Sequence, residues 1–227
     1  MLPLKDNVPT RTFPLVTVGL IVANVAVFLW ERQAFTPRVN RYSFYPCDVV
    51  DSCVGVGKHL PWYEGVFSGM FMHAGWIHLL GNMLFLWIFG NNVEDAMGKL
   101  RYLFFYVAGG IAAMLAQTAV TLHYAGAAGE SVPNLGASGA IAAVLGAYFV
   151  LLPTARVLTW ILIVIREVPA FLFLAVWFGF QLWEGGAAVT HPGAGGGVAF
   201  FAHVGGFVFG ALTVNLFKVR RPLAPQW

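Results

Sequence analysis

Charged side chains are scarce in this sequence. Asp, Glu, Lys and Arg make up 10% of its 227 residues, whereas soluble domains carry about 25%. Hydrophobic residues reach 59%, and the mean hydropathy is +0.73. This composition excludes an ordinary water-soluble domain and indicates a single-domain integral membrane protein. The net charge of +3 does not indicate nucleic-acid binding, because the basic residues lie where membrane topology requires them.

Cysteine is also scarce, with two residues in the chain, which excludes a disulfide-rich scaffold. Cys47 and Cys53 are the two cysteines, and both lie in a long segment between the first two apolar runs. If that segment faces an oxidising compartment, we expect them to close a small disulfide loop. Zinc binding together with His59 is the alternative, although three loosely spaced ligands are a weak signal.

Long apolar runs predict six membrane-spanning helices, because a span needs roughly 20 mostly apolar residues. They lie at about 13–31, 76–92, 100–122, 137–152, 167–184 and 198–217. The first run is too long for a signal peptide and lacks its cleavage site, so we expect it to be retained. Between the fourth and fifth helices, Arg156–Ile165 is predicted at the membrane surface, where it would also suit a short extended piece.

The predicted organisation is a core over residues 13–217, with a long outer loop at about 32–75, between two cytoplasmic tails, 1–12 and 218–227. Lysine and arginine counts set the orientation. With a cytoplasmic N-terminus, nine basic residues face inward and four face outward, all four in the long loop. The nine are Lys5, Arg11, Lys99, Arg101, Arg156, Arg166, Lys218, Arg220 and Arg221.

Polar side chains recur at one depth within three of the predicted helices. His78 and Asn82 are four residues apart and share one face of the second helix. Ser138 opens the fourth helix among small residues, and His203 opens the sixth. The second, fourth and sixth helices run in the same direction, so these groups should converge just below the outer surface. Polar residues inside a helix bundle are functional candidates.

These residue types fit acyl transfer. Serine with histidine supplies a nucleophile and the base that activates it. A second histidine and an asparagine can stabilise an oxyanion. Glu94 and Asp95 lie at the inner end of the second helix and Glu184 at the outer end of the fifth, so no acid lies at the depth of His203. The sequence therefore predicts a Ser–His dyad rather than a triad.

Other readings of the polar residues remain. His73 fits a packing role that fixes the loop before the second helix. Metal coordination by His73, His78 and His203 would leave Ser138 and its glycines without a role. A transporter is a further alternative, although the chain has no internal repeat. The glycine-rich loop at 185–197 would suit a mobile cap beside the site.

Three motifs together resemble the rhomboid intramembrane serine proteases. They are His73-x4-His78-x3-Asn82, Gly136-Ala-Ser138-Gly139 and Ala202-His203-x-Gly-Gly206, in family order. The segment from Gly90 to Gly98 also looks like the family's turn after the second span. The likeness covers about residues 13–217.

The resemblance implies an all-α bundle of six transmembrane helices with a short central fourth helix. Ser138 would be the nucleophile and His203 the general base and then acid. His78, Asn82 and the Ser138 N–H would form the oxyanion hole, with Gly136 shaping the approach to the serine. Structural residues near the site would be His73, Gly139, Gly206 and Gly210.

The implied reaction is hydrolysis of peptide bonds in or beside transmembrane segments of other membrane proteins, with no cofactor and no metal. The implied surroundings are the lipid bilayer, by analogy a bacterial plasma membrane. Two features depart from the family pattern. Many members carry an aromatic residue where this chain has Ala142, and Trp62 is not followed by arginine. A non-catalytic rhomboid-like binder of membrane clients is the alternative, although such relatives typically lack the serine or the histidine.

Overall fold

The computed structural model describes residues 1–190 and 199–226, and helices dominate it. The nine α-helices of the described chain are α1 (Leu15–Arg32), α2 (Phe35–Tyr42), α3 (Trp62–Gly69), α4 (Trp76–Met97), α5 (Lys99–Tyr124), α6 (Gly126–Glu130), α7 (Ser138–Leu151), α8 (Ala170–Thr190) and α9 (Phe200–Phe217).

Four of the described helices are long and apolar enough to cross a membrane, namely α1, α5, α8 and α9. The chain is therefore a membrane protein. Helix α7 has 14 residues, about 21 Å, against a hydrocarbon core of roughly 30 Å. Helix α4 is long enough with 22 residues, but its His, Asn, Glu and Asp side chains make it more polar. The count of six spans stays a prediction.

The short helix α7 lies at the centre of the bundle, packed against α4, α5 and α9. Every residue from Gly139 to Tyr148 is buried. Glycines let the backbones of α7 and α9 meet. A Cβ atom at Gly206 or Gly210 would overlap a carbonyl oxygen of α7, and a Cβ at Gly146 would overlap one of α9. At these three glycine positions the contact between α7 and α9 leaves no room for a side chain.

The expectation of an all-α fold was incomplete, because the structure adds a three-stranded antiparallel sheet. Its strands are β1 (Leu2–Asp6), β2 (Arg156–Ile161) and β3 (Val164–Pro169), with β2 in the middle. The predicted surface segment after the fourth helix is therefore a hairpin. The fifth helix begins at Ala170 rather than at residue 167, because β3 runs as far as Pro169.

Strand β1 lies within the segment predicted as an N-terminal tail, and it is fastened to the bundle by a buried carboxylate. The Oδ2 atom of Asp6 accepts hydrogen bonds from Asn92 Nδ2 at 2.6 Å and from the Tyr148 hydroxyl at 2.7 Å. Burial raises the pKa of Asp6 to about 6.

The C-terminal segment packs against the end of α4, since the N–H groups of Val219 and Arg220 donate to the Ala96 carbonyl.

The predicted turn at Gly90–Gly98 was wrong in its extent, because α4 continues to Met97 and only Gly98, at φ 75°, turns the chain. The two acids in that stretch are satisfied by neighbouring segments. The Glu94 carboxylate accepts the N–H groups of Val16 and Thr17, which caps the start of α1. Asp95 pairs with Arg11 and Arg220 at 2.9 Å each. With both acids paired, α4 remains helical through the segment where the sequence predicted a turn.

The predicted outer loop is folded around α2, a short 3-10 helix (Pro46–Val49) and α3. Cys47 and Cys53 form a disulfide within it. His59 Nε2 lies 3.3 Å from Asp48 Oδ1, and both lie within 4.8 Å of the Cys53 sulfur. Since both cysteines are used in the bond, neither offers the thiolate that the zinc alternative needs.

The glycine-rich loop predicted at 185–197 is shorter than expected at its start. Residues 185–190 continue α8, and 191–197 lie outside the described residues. The sixth predicted helix, α9, begins at Phe200.

Packing at the α7–α9 contact predicts opposite effects for two glycines. Gly210→Ala places a methyl group against the Ala143 carbonyl, so it should destabilise the protein by about 1–3 kcal/mol. Gly179→Ala in α8 meets nothing within 4 Å and should be neutral or stabilising by up to about 1 kcal/mol. Thermal unfolding in detergent measures both, and equal effects of the two variants would contradict this account of the contact.

The pKa of Asp6 predicts a pH-dependent anchoring of β1. The pKa of Asp6 in the folded protein is about 6, against 3.8 for a fully solvated aspartate. The contribution of Asp6 to the free energy of unfolding is therefore fully present below about pH 4. It is lost as the pH rises through about 6. Asp6→Asn keeps an acceptor without a charge. From pH 4 to pH 7 it should gain stability relative to the wild type, by up to roughly 3 kcal/mol. Unfolding midpoints across this range test the prediction, and parallel pH curves for the two proteins would refute it.

Candidate active site

Ser138 and His203 are in direct contact. Ser138 is the first residue of α7, and His203 lies in the first turn of α9. The serine Oγ lies 2.8 Å from His203 Nε2, and both residues are half-buried. The glycine contact between α7 and α9 explains this proximity, because it brings the two helix starts within hydrogen-bond reach.

The backbone around Ser138 points donors toward the site. Ile141 N–H donates to the Ala137 carbonyl at 3.0 Å, so the N–H groups of residues 138–140 precede the first full helical hydrogen bond. The start of a helix also carries a partial positive charge. A negative charge that develops on a group bound beside Ser138 would therefore lie near N–H groups that have no partner within the helix.

Gly136 and His78 border a recess beside the serine. Gly136 has φ +120°, a backbone conformation that favours glycine. A Cβ atom placed there would lie 2.8 Å from His78 Cε1, 2.9 Å from His78 Nε2 and 3.7 Å from Ser138 Oγ. The imidazole of His78 and the serine hydroxyl therefore face one point, which the missing side chain of Gly136 keeps open.

His78 presents a donor to this recess. The N–H of Ala74 donates to His78 Nδ1 at 3.4 Å, so in the neutral ring the proton lies on Nε2. Nε2 is one of the two ring atoms that face Gly136. The neutral imidazole can thus donate a hydrogen bond beside Ser138.

Asn82 follows His78 by one helical turn and on the same face of α4. Its side chain is buried at 8% exposure, and its Nδ2 atom has no hydrogen-bond partner. A buried amide donor without a partner is costly in the resting protein. This unpartnered amide lies one helical turn from His78 on α4.

His73 packs against His78. Its ring stands edge-on to that of His78, with centroids 5.1 Å apart, and its backbone N–H donates to the Glu31 carboxylate. Its Nδ1–H donates to the Phe71 carbonyl at 3.1 Å. Burial, together with the nearby His78, lowers the pKa of His73 to about 4. These contacts fit the packing role expected for His73.

Gly139 and Gly206 keep the helices close beside the dyad. A Cβ atom at Gly139 would lie 2.6 Å from the Ala113 Cβ of α5. Gly206 faces the Gly139 carbonyl, and Gly210 follows one turn later against Ala143. These glycines determine how closely α5, α7 and α9 approach one another beside the dyad.

Sequence reasoning missed two residues of α8 that hold the other side of His203. Gln181 Oε1 lies 2.7 Å from His203 Nδ1. Trp177, one turn earlier, packs its ring 5.9 Å from the His203 ring at 37°. This aromatic contact comes from α8, whereas α7 carries Ala142 at the position where the resemblance implied an aromatic residue. The signal was present, because Gln181 is the one amide in the apolar run 170–183.

The hydrogen bonds of His203 argue against the metal alternative. Both of its ring nitrogens are engaged, one with Ser138 and one with Gln181. A metal ion would have to displace one of these partners.

Comparison with known proteins finds both a family match and individual relatives. The Rhomboid domain model matches residues 61–219. Rhomboid protein 1, mitochondrial, of Saccharomyces cerevisiae is 30% identical over 222 residues, covering 92% of this chain and 56% of its own length. The human Presenilin-associated rhomboid-like protein, mitochondrial, is 30% identical and covers 92% and 51%. RHOMBOID-like protein 1 of Arabidopsis thaliana is 28% identical and covers 92% and 54%. The chain thus spans about half the length of these relatives.

The recess predicts that Gly136 cannot carry a side chain. Gly136→Ala would press a methyl group against the His78 ring and strain the backbone. Displacements near 1 Å at such sites cost about 100-fold, so the labelling rate of Ser138 by a fluorophosphonate should fall at least tenfold. Gly81→Ala, in α4 with nothing within 4 Å, is the matched control. A Gly136→Ala protein that reacts as fast as the control would show that the recess is not needed.

Proposed function

The chain belongs to the rhomboid family, and on that premise we propose that it is an intramembrane serine endopeptidase. It hydrolyses peptide bonds in or next to transmembrane segments of other membrane proteins, through a Ser–His dyad and an acyl-enzyme intermediate. The observation that carries this proposal is the 2.8 Å contact between Ser138 Oγ and His203 Nε2 beside an open recess.

In the first half of the proposed reaction, His203 Nε2 takes the hydroxyl proton of Ser138 as Oγ attacks the substrate carbonyl carbon. The carbonyl oxygen becomes an oxyanion. His203 then returns the proton to the amide nitrogen as the carbon–nitrogen bond breaks. One peptide fragment leaves as an amine, and the other stays on Ser138 as an ester.

The oxyanion needs donors that are already in place. His78 Nε2–H, Asn82 Nδ2 and the Ser138 backbone N–H are the proposed donors. The unpartnered Asn82 Nδ2 supports this role, because the oxyanion would supply the acceptor that the amide lacks. Loss of one such donor typically costs about 100- to 1000-fold in rate.

In the second half, His203 activates a water molecule that attacks the ester. Water must therefore reach a site inside the bundle, and the half-exposed dyad supports an opening toward one membrane surface. The substrate must also change, because a helix keeps its carbonyls in its own hydrogen bonds. We propose that the substrate segment unwinds locally before attack.

The proposed orientation places both termini and nine of the thirteen basic residues on the cytoplasmic side. The Ser138 end of the bundle then opens to the opposite side. The bacterial plasma membrane stays the predicted compartment, although the yeast and human relatives are mitochondrial by name. Cysteine accessibility labelling of each terminus in intact and broken cells tests the orientation.

Active-site labelling tests the proposed function. A fluorophosphonate should label the purified wild type in detergent and should not label Ser138→Ala. His203→Ala should react at least 100-fold more slowly, because general-base catalysis is worth about 10²–10⁴. A model transmembrane substrate should be cleaved with the same dependence.

The matched control is His59→Ala, whose imidazole lies in the outer loop against Tyr45. It should label like the wild type. If the wild type neither reacts nor cleaves any model substrate in a Ser138-dependent way, the protein is instead a binder of membrane clients.

A further inference from the structure

The second ring nitrogen of His203 has a partner that is not an acid. Gln181 Oε1 lies 2.7 Å from His203 Nδ1, the position that aspartate occupies in a Ser–His–Asp triad. Gln181 is buried at 6% exposure. A buried amide must satisfy its own hydrogen bonds, so its orientation is restricted by what surrounds it.

A carbonyl of α8 determines which way this amide points. Gln181 Nε2 donates to the Trp177 carbonyl at 3.4 Å. That carbonyl can only accept a hydrogen bond, so the amide NH₂ group faces it and Oε1 faces His203. Oε1 can also only accept, so the ring proton of neutral His203 lies on Nδ1.

The position of this proton decides whether Ser138 can be activated. With the proton on Nδ1, the lone pair of Nε2 faces the Ser138 hydroxyl at 2.8 Å and can accept its proton. In the other tautomer, Nδ1 and Oε1 would present lone pairs to each other. Nε2 would then carry a hydrogen toward Ser138 and could not act as a base.

We propose that Gln181 is a positioning residue that holds His203 in the Nδ1–H tautomer and so makes Nε2 the base for Ser138. This inference rests on the proposed protease function. The site is then a dyad with a neutral orienting group. It differs from a triad in one respect, because an amide fixes the ring without placing a negative charge beside it.

The direct test is the tautomer of His203 in the wild type. The ¹⁵N spectrum of ¹⁵N-histidine-labelled protein in detergent distinguishes a protonated from an unprotonated ring nitrogen, and His203→Ala assigns the signals. Neutral His203 should show a protonated Nδ1 and an unprotonated Nε2. A protonated Nε2 would overturn the inference independently of how the Gln181 variants behave.

Three variants complete the experiment. Gln181→Met keeps the size of the side chain and removes the acceptor, Gln181→Glu restores an acceptor oxygen, and Leu182→Ala changes a lipid-exposed neighbour on α8. The readout is the rate of Ser138 labelling by a fluorophosphonate as a function of pH. Gln181→Met should react about tenfold more slowly or worse, as expected for one lost hydrogen bond, and should lose the single tautomer. Leu182→Ala should match the wild type.

Gln181→Glu should recover the labelling rate that Gln181→Met loses. Its carboxylate should also move the acidic limb of the pH profile upward. His78 is a titratable group within electrostatic reach of His203, and it is unchanged in all three variants.

If Gln181→Met keeps the wild-type rate, pH profile and tautomer, the inference fails while the proposed function stands. If the wild type itself is not labelled, the proposed function fails, and the tautomer measurement still tests what Gln181 does.

Discussion

The close contact between α7 and α9 is the constraint on which the rest of the structure depends. Gly146, Gly206 and Gly210 bring backbone against backbone, and four of the buried residues of α7 are alanines. Lipid supplies little hydrophobic drive for helix association, so van der Waals contact must supply it. The same contact brings the start of α7 to the start of α9. The distance between Ser138 and His203 is thus a result of helix packing. The proposed reaction therefore depends on these glycines, although they do not take part in it.

Buried polar groups at the two ends of the bundle differ in whether they have hydrogen-bond partners. Three acids at the end opposite Ser138 have partners: Glu94 caps α1, Asp95 pairs with two arginines, and Asp6 accepts two hydrogen bonds. Polar groups near Ser138 are left partly open, as the Asn82 amide shows. Unsatisfied donors are expensive in an apolar interior. The unpartnered Asn82 amide therefore lowers the stability of the resting protein.

Much of the site could be predicted from the sequence because helix geometry is regular. Three helices running in one direction predict that Ser138 and His203 lie at one depth, and the four-residue spacing places His78 and Asn82 on one face of α4. The β-sheet could not be predicted, because Leu2 pairs with Trp160 and no local pattern connects them. The helical character of Gly90–Gly98 depends on Arg11 and Arg220, which are equally distant in the chain. Gln181 was overlooked for a different reason, since a search for a charged partner passes over a neutral amide.

The pairing of β1 with β2 also bears on the order of assembly. Asp6 opposes Val157, and its other contacts are with Asn92 and Tyr148. At roughly 5–20 residues per second, a ribosome needs on the order of 10–30 s to pass from the first of these segments to the last. Helices α1, α4, α5 and α7 emerge during that interval, while β1 waits without its partner. The sheet is therefore a closing step, taken only once α7 has been made, and no nascent chain that stops before β2 can complete it.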